Sequence, residues 1–230
     1  MIEFFSIING VSETFPIIES RTLFPNWIKQ ARLESSNTNI SRCPGIISLF
    51  TSGYYVTSPW DMEIISEQTQ ITGYCPSEEI EKLLGKPPIQ IQSADGIARY
   101  LPKKPWSNKN ILKINTPWHI KSNLKFLMIP LPYSDKFELE STMGILDPSV
   151  SSEINVQSYV NGFGNFNIKA GEPLCQIIPL TEKKYDFVVR DANKNDKEWI
   201  IKRNYLNNST FIFNKNIVKK AYNKFFKIKL

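Results

Sequence analysis

From Ile89 to Leu180 the chain alternates apolar and polar residues in short runs. These are IQIQ, ILKINTPWHI, LKFLMIPLP, SSEINVQSYV, FGNFNI and LCQIIPL, separated by Gly, Pro, Asn and Ser clusters such as SADG. Side chains that alternate with a period of two stand on opposite faces of a strand, so these runs predict half-buried strands broken by turns. Turn residues at intervals of about 8 to 12 positions describe a sandwich or partly closed barrel. No crossover helices separate the runs and no Gly-rich phosphate loop appears, which argues against a parallel doubly wound sheet. The expected fold is mainly β, with β-clip or jelly-roll-like antiparallel sheets.

Helical punctuation is sparse. Pro25 followed by Asn26, Trp27, Ile28, Ala31 and Leu33 predicts a short helix near 25–33. Ser77 before Glu78, Glu79 and Glu81, apolar Ile80, Leu83 and Leu84, then Gly85 and two prolines predict a second helix over 77–84. The segment IISLFTSGYYVTSPWDMEII is read as two strands joined at Ser52 and Gly53, with a third from Met62 to Ile65. Ala192 to Glu198 reads as a polar connector. Between Asn216 and Lys229, Ile217, Val218, Ala221, Tyr222, Phe225 and Phe226 share one helical side, opposite Lys219, Lys220, Lys224 and Lys227. The expected organisation is one β-rich domain over 1–201 and a basic C-terminal strand or helix over 202–230 packed on it.

Composition narrows the chemistry. With 41% hydrophobic and 12% aromatic residues, the chain can bury a full core. No apolar run reaches the roughly 18 to 20 residues of a membrane span, and the N-terminus lacks the basic start of a secretory signal. A cytoplasmic setting, or a virion for a phage protein, is expected. Cys43, Cys75 and Cys175 are odd in number and far apart, which suits reduced thiols. One histidine, His119, leaves too few imidazoles for the common zinc or iron sites, so no metal or cofactor is expected. Eight of the 28 Lys and Arg residues lie beyond position 201 and none of the 22 acids does. The body is therefore slightly acidic, and the net charge of +6 belongs to the tail.

Gly144-Ile145-Leu146-Asp147-Pro148, the strand Ile154 to Gln157, an Asn161 to Gly164 turn and the run Ile168 to Pro179 follow one another. Their order resembles the trimeric deoxyuridine triphosphatase and deoxycytidine triphosphate deaminase superfamily, matching at Gly144, Asp147, Ile168, Gly171, Glu172, Leu174, Gln176 and Ile177 over about 40 residues. The resemblance implies a β-clip core. The sequence departs where that family acts: Pro148, Ser149, Val150, Ser151 and Ser152 stand where it has a sugar-stacking aromatic and an Arg-Gly pair, and the C-terminus is Lys-rich rather than a Gly-rich phosphate-closing tail. The span 40–180 is also similar to a family encountered in tailed phages, especially marine ones, and in some bacteria. Cys43-Pro44, Gly53 to Asp61, Pro117-Trp118-x-Ile120-Lys121 and Gly171 to Pro179 carry that similarity, which implies a phage-encoded or phage-derived protein and no particular activity.

Candidate ligand-binding residues are Trp60, Asp61, Trp118, His119, Asp147 and Gln176, because aromatic faces beside an Asp or His suit a base or sugar. The competing reading makes both tryptophans core plugs whose indole N–H groups meet backbone carbonyls. Asp147 and His119 are the candidate catalytic groups: His119 could act as a base oriented by Asp61 or Asp147, with Ser122 or Cys175 as nucleophile, although no nucleophile elbow surrounds them. Lys219, Lys220, Lys224 and Lys227 suit nucleic-acid phosphates or an anionic membrane. The expected function is non-catalytic binding or assembly, through self-association or a protein partner. The alternatives are a nucleotide- or base-directed enzyme taking a small molecule, and nucleic-acid binding through the tail.

Overall fold

The computed structural model describes residues 1–33, 39–75, 77–96, 98–134 and 136–210, and for 202 and 204–210 the backbone alone. In chain order it runs β1 (Ile2–Ser6), α1 (Val11–Thr14), β2 (Ile18–Glu19), α2 (Asn26–Leu33), α3 (Pro44–Thr51), β3 (Tyr54–Thr57), β4 (Met62–Ser66) and β5 (Ile71–Tyr74). It continues α4 (Glu78–Leu84), β6 (Ile89–Gln92), β7 (Ser107–Lys121), β8 (Phe126–Ile129), β9 (Leu139–Ser141), β10 (Gly144–Leu146), β11 (Glu153–Asn161), β12 (Gly164–Ile168), β13 (Pro173–Pro179), β14 (Phe187–Asp191) and α5 (Lys194–Thr210). The protein is mainly β with short helices and a longer one towards the C-terminus, as its alternation predicts.

Three sheets form. The first has the order β14-β1-β7-β11-β9, with β6 also on β7. The 15-residue β7 is its spine: β11 runs along one side, while β6 and β1 share the other, β6 at Ile111–Ile114 and β1 at Trp118–Lys121. The second sheet is β10-β8-β13-β3-β2 and the third β12-β4-β5. Every pairing is antiparallel except that of β1 with β14. Period-two alternation sorts the faces. Phe4, Leu112, Ile114, Trp118, Ile120, Ile154 and Val156 enter one core with Tyr54, Val56, Phe126 and Ile177 of the second sheet and Met62 and Ile64 of the third.

The Ile46 to Phe50 run is helix α3, a correction to the strand expected there. Pro44 opens it at the first turn, where a missing N–H costs nothing, and Ile46 and Phe50 stand four apart on the side that packs against Ile28 of α2. A five-residue run with four apolar side chains fits helix and strand alike. Gly53 then turns with φ of 74°, passing so close to the Ile177 carbonyl that a Cβ would collide with it.

α4 carries the expected punctuation: the Ser77 hydroxyl accepts from Glu79 N at 3.2 Å, and Gly85 closes the helix at φ of 68°. Helix α5 begins inside the segment read as a connector and runs through the expected 201/202 boundary. Its start is a reciprocal cap. Asn193 Oδ1 accepts from Asp196 N and Asp196 Oδ2 accepts from Asn193 N, each at 3.0 Å. Asp196 is further held by Arg190, which donates at 2.5 Å and also reaches Glu3 at 2.7 Å. The tail with Lys219, Lys220, Lys224 and Lys227, and the amphipathic helix expected there, lie outside the described residues. Among the described residues no helix is long and apolar enough to cross a membrane.

Candidate functional site

The structure does not gather the six expected ligand-binding residues into one cleft, and the strand period explains why. Trp118 and His119 are neighbours on β7 and so point to opposite faces. Trp118, fully buried, and Trp60, 6% exposed, enter the main core. Neither indole N–H has a hydrogen-bond partner among the described residues, so the backbone carbonyls expected for them are not supplied. Gln176, also fully buried, is a cross-link: its amide nitrogen donates to Ser52 O at 2.6 Å, Leu49 O at 2.8 Å and Ser20 Oγ at 3.2 Å, tying α3 to the second sheet.

His119 lies on the other face of the first sheet, where its ring stacks on Phe5 and its Nδ1 is hydrogen-bonded to the Ser152 hydroxyl at 2.9 Å. Burial holds its pKa down to about 4, and Lys86 adds to that against the nearby Glu153 carboxylate. A neutral imidazole under α5 results. Trp199 of that helix meets Phe5 edge-on, with ring centroids 6.0 Å apart. The guanidinium of Arg203 lies over Trp199 and donates to the Pro148 carbonyl.

Asp147 organises its own turn. Its Oδ1 accepts from Ser149 N at 2.9 Å and from the Ser149 hydroxyl at 2.5 Å, and Lys125 stands 3.2 Å from Oδ2. Those contacts, the Ser149 hydroxyl foremost, lower its pKa. Asp61 is exposed and caps a loop by accepting from Ala170 N at 2.8 Å. It borders a shallow hollow of about 230 Å³ with Glu63, Cys75 and Lys169. Of the nucleophiles considered, Ser122 accepts from Leu124 N, and burial raises the Cys175 thiol pKa far above its ordinary value. Among the described residues no three His, Cys, Asp or Glu side chains are grouped to hold a metal ion.

The more open arrangement is at the far end of the first sheet, where β7 starts and β11 ends. Asn161 is registered with Ser107, its amide nitrogen donates to Phe137 O at 2.8 Å, and its backbone N–H donates to Glu138 O at 2.8 Å. Gly162 N donates to Trp106 O at 3.0 Å. Two adjacent residues thus fasten three loops, and each loop presents a ring: Trp106 is 62% exposed, Phe137 70% and Phe163 63%. Gly162 and Gly164 flank Phe163 at φ of 79° and 126°. That positive-φ geometry, natural only to glycine, turns the chain sharply from the first sheet into β12 of the third.

Beside these rings runs a groove of about 200 Å³ between β12 and the entry to β9. Leu131, Leu139, Ile168 and Leu174 line it with Ser158, Asn165, Asn167, Lys136, Glu138 and Glu172, and Lys136 pairs with Glu172 at 2.6 Å. Cations interleave with the rings. Lys104 sits 5.9 Å from the Trp106 centroid and 5.2 Å from that of Tyr159 while paired with Glu140, and Arg99 lies 5.5 Å from that of Tyr100. Sequence reasoning passed over Trp106, Phe137 and Phe163. The available signal was the stretch RYLPKKPWSNK, which holds Arg99, Lys103, Lys104 and Lys109 with aromatic rings and no acid.

No protein-family model matches the chain, and no curated protein matches it either.

Proposed function

We propose that this chain is a non-catalytic binding or assembly protein, phage-encoded or phage-derived, built on a β-clip or jelly-roll-like core. The observation that carries the reading is the set of rings at the end of the first sheet. Large aromatics left open to water on loops whose backbone is tied down by hydrogen bonds suit a contact surface. The polar groups considered for chemistry are engaged in the fold: Gln176 binds three acceptors, Asp147 shapes a turn and His119 is covered. The test is a panel of nucleoside triphosphates incubated with the purified full-length chain. The expected result is no turnover, with Asp147→Asn altering stability alone. Hydrolysis abolished by Asp147→Asn overturns the reading.

A second reading, a nucleotide- or base-directed enzyme, draws on the groove. Its walls come from Asn165–Ile168 and Glu172–Leu174, inside the block that resembles the triphosphatase superfamily, and the exposed Asn165 and Asn167 offer amides to a base edge. It predicts a melting temperature raised by nucleotide through mass action. A flat response across the panel removes it.

A further inference from the structure

We propose that the aromatic end of the first sheet is a platform for single-stranded nucleic acid. This rests on the reading of the chain as a binding protein and names the chemistry of its partner. Two observations converge. Trp106, Phe137 and Phe163 are each more than 60% exposed, yet the hydrogen bonds of Asn161 and Gly162 fix the loops that carry them. Rings held open to solvent on anchored backbone can stack unpaired bases, which every base permits because each has a flat face.

The second observation is charge. Between Asp95 and Asp135 the sequence contains no acid, and Arg99, Lys103, Lys104 and Lys109 flank Tyr100 and Trp106 along the chain, with Lys104 lying against the Trp106 ring. Glu67, Glu138, Glu140 and Glu172 approach from other segments; Glu140 is paired with Lys104 and Glu172 with Lys136, while no ion pair engages Glu67 or Glu138 among the described residues. Exposed Arg99 and Lys109 remain to meet phosphates. The chemistry of the partner selects its form. Paired bases in a duplex hide their faces, whereas single strands splay them, so a rim of separate rings suits the unpaired form.

The tail lysines offer a competing route to the same partner, so the experiment separates the two in the full-length chain. The probes are fluorescein-labelled oligo(dT) and oligo(rU) of about 15 nucleotides, and the same strands annealed to their complements. Anisotropy is read at about 50 mM salt and upward. Binding to either single strand is expected to exceed binding to its duplex and to weaken as salt rises. Trp106→Ala, Phe137→Ala and Phe163→Ala are each expected to lower affinity about 5- to 150-fold, with the melting temperature held. Arg99→Gln with Lys109→Gln is expected to flatten the salt dependence.

Three results overturn the proposal: no anisotropy change at low salt, equal affinity for duplex, or binding that survives the ring substitutions and disappears when Lys219, Lys220, Lys224 and Lys227 become Gln. If the ring substitutions instead abolish self-association seen by sedimentation, with no oligonucleotide bound, the rim is a protein interface and the proposal falls. In that case the binding reading stands, since only nucleotide turnover removes it.

Discussion

His119 and Phe5 lie face to face on the outer side of the first sheet, with ring centroids 5.5 Å apart and planes 13° from parallel. They are also directly paired across β7 and β1, so the stack is a cross-strand contact fixed by register. A histidine this buried is kept neutral, and its pKa of about 4 lies below the roughly 6.5 of an unfolded chain. Above about pH 6.5 both states are neutral there and the group contributes nothing to the pH dependence. As pH falls from about 6.5 towards 4 the unfolded chain takes up a proton that the folded chain refuses. Stability is therefore lost over that window, at no more than about 1.4 kcal/mol per pH unit. Urea unfolding midpoints should fall more steeply between about pH 7 and 5 in the native protein than in His119→Gln; equal slopes would refute this.

Two glycines separate strain from collision. At Gly162 the φ is 79° and nothing lies within 4 Å of an added Cβ, so Gly162→Ala should cost only the left-handed backbone penalty, about 1–2 kcal/mol. At Gly53 the φ is 74° and the added Cβ meets the Ile177 carbonyl, so Gly53→Ala should cost clearly more. Chemical denaturation of the two variants should rank them in that order.

Arg190 joins Glu3 on β1 to Asp196 on α5, and Asp196 is nearly buried. Hydrogen bonds from Arg190 hold the Asp196 pKa down despite burial, and the same contacts raise that of Arg190. Arg190→Met should cost roughly 1–3 kcal/mol, between the values for exposed and buried pairs. Adding Asp196→Asn should recover part of it. A double-mutant cycle with no coupling energy would show that the pair does not anchor α5.

Thiol reactivity should follow depth. Cys43 is exposed, Cys75 half-buried with its pKa raised by burial, and Cys175 enclosed with its pKa raised further. A thiolate-specific reagent is expected to modify Cys43 first and Cys75 slowly, and Cys175 only on unfolding. Early labelling of Cys175 in the folded protein would contradict the packing of β13.

Gln176 should prove structural. Gln176→Ala removes the donor shared by Ser20, Leu49 and Ser52 and should cost about 2–4 kcal/mol through a cavity and orphaned carbonyls. Oligonucleotide or nucleotide affinity, measured where the variant is still folded, should not change.

The sheets were legible because alternation is a local pattern, and α4 because Ser77 and Gly85 are local caps. The Ile46–Phe50 run misled because its apolar spacing suits both periods and only packing on Ile28 decides between them. The start of α5 was visible in principle, since Asn193 and Asp196 stand at capping spacing, but the polar composition around them concealed it. Adjacency in sequence did not make Trp118 and His119 neighbours in space, because successive residues of a strand stand on opposite faces. Trp106 was within reach, in the acid-free basic stretch RYLPKKPWSNK, whereas Phe137 and Phe163 are dispersed in sequence and only the contacts of Asn161 and Gly162 tie their loops to it.

The length of β7 bears on how damage in this molecule combines. From Ser107, beside the rings, to His119, beneath α5, twelve residue steps of extended chain span roughly 40 Å. Lesions placed at the two poles share no atoms and no partners, so their free-energy costs should simply sum, and a protein weakened at one pole should keep the other pole's chemistry intact.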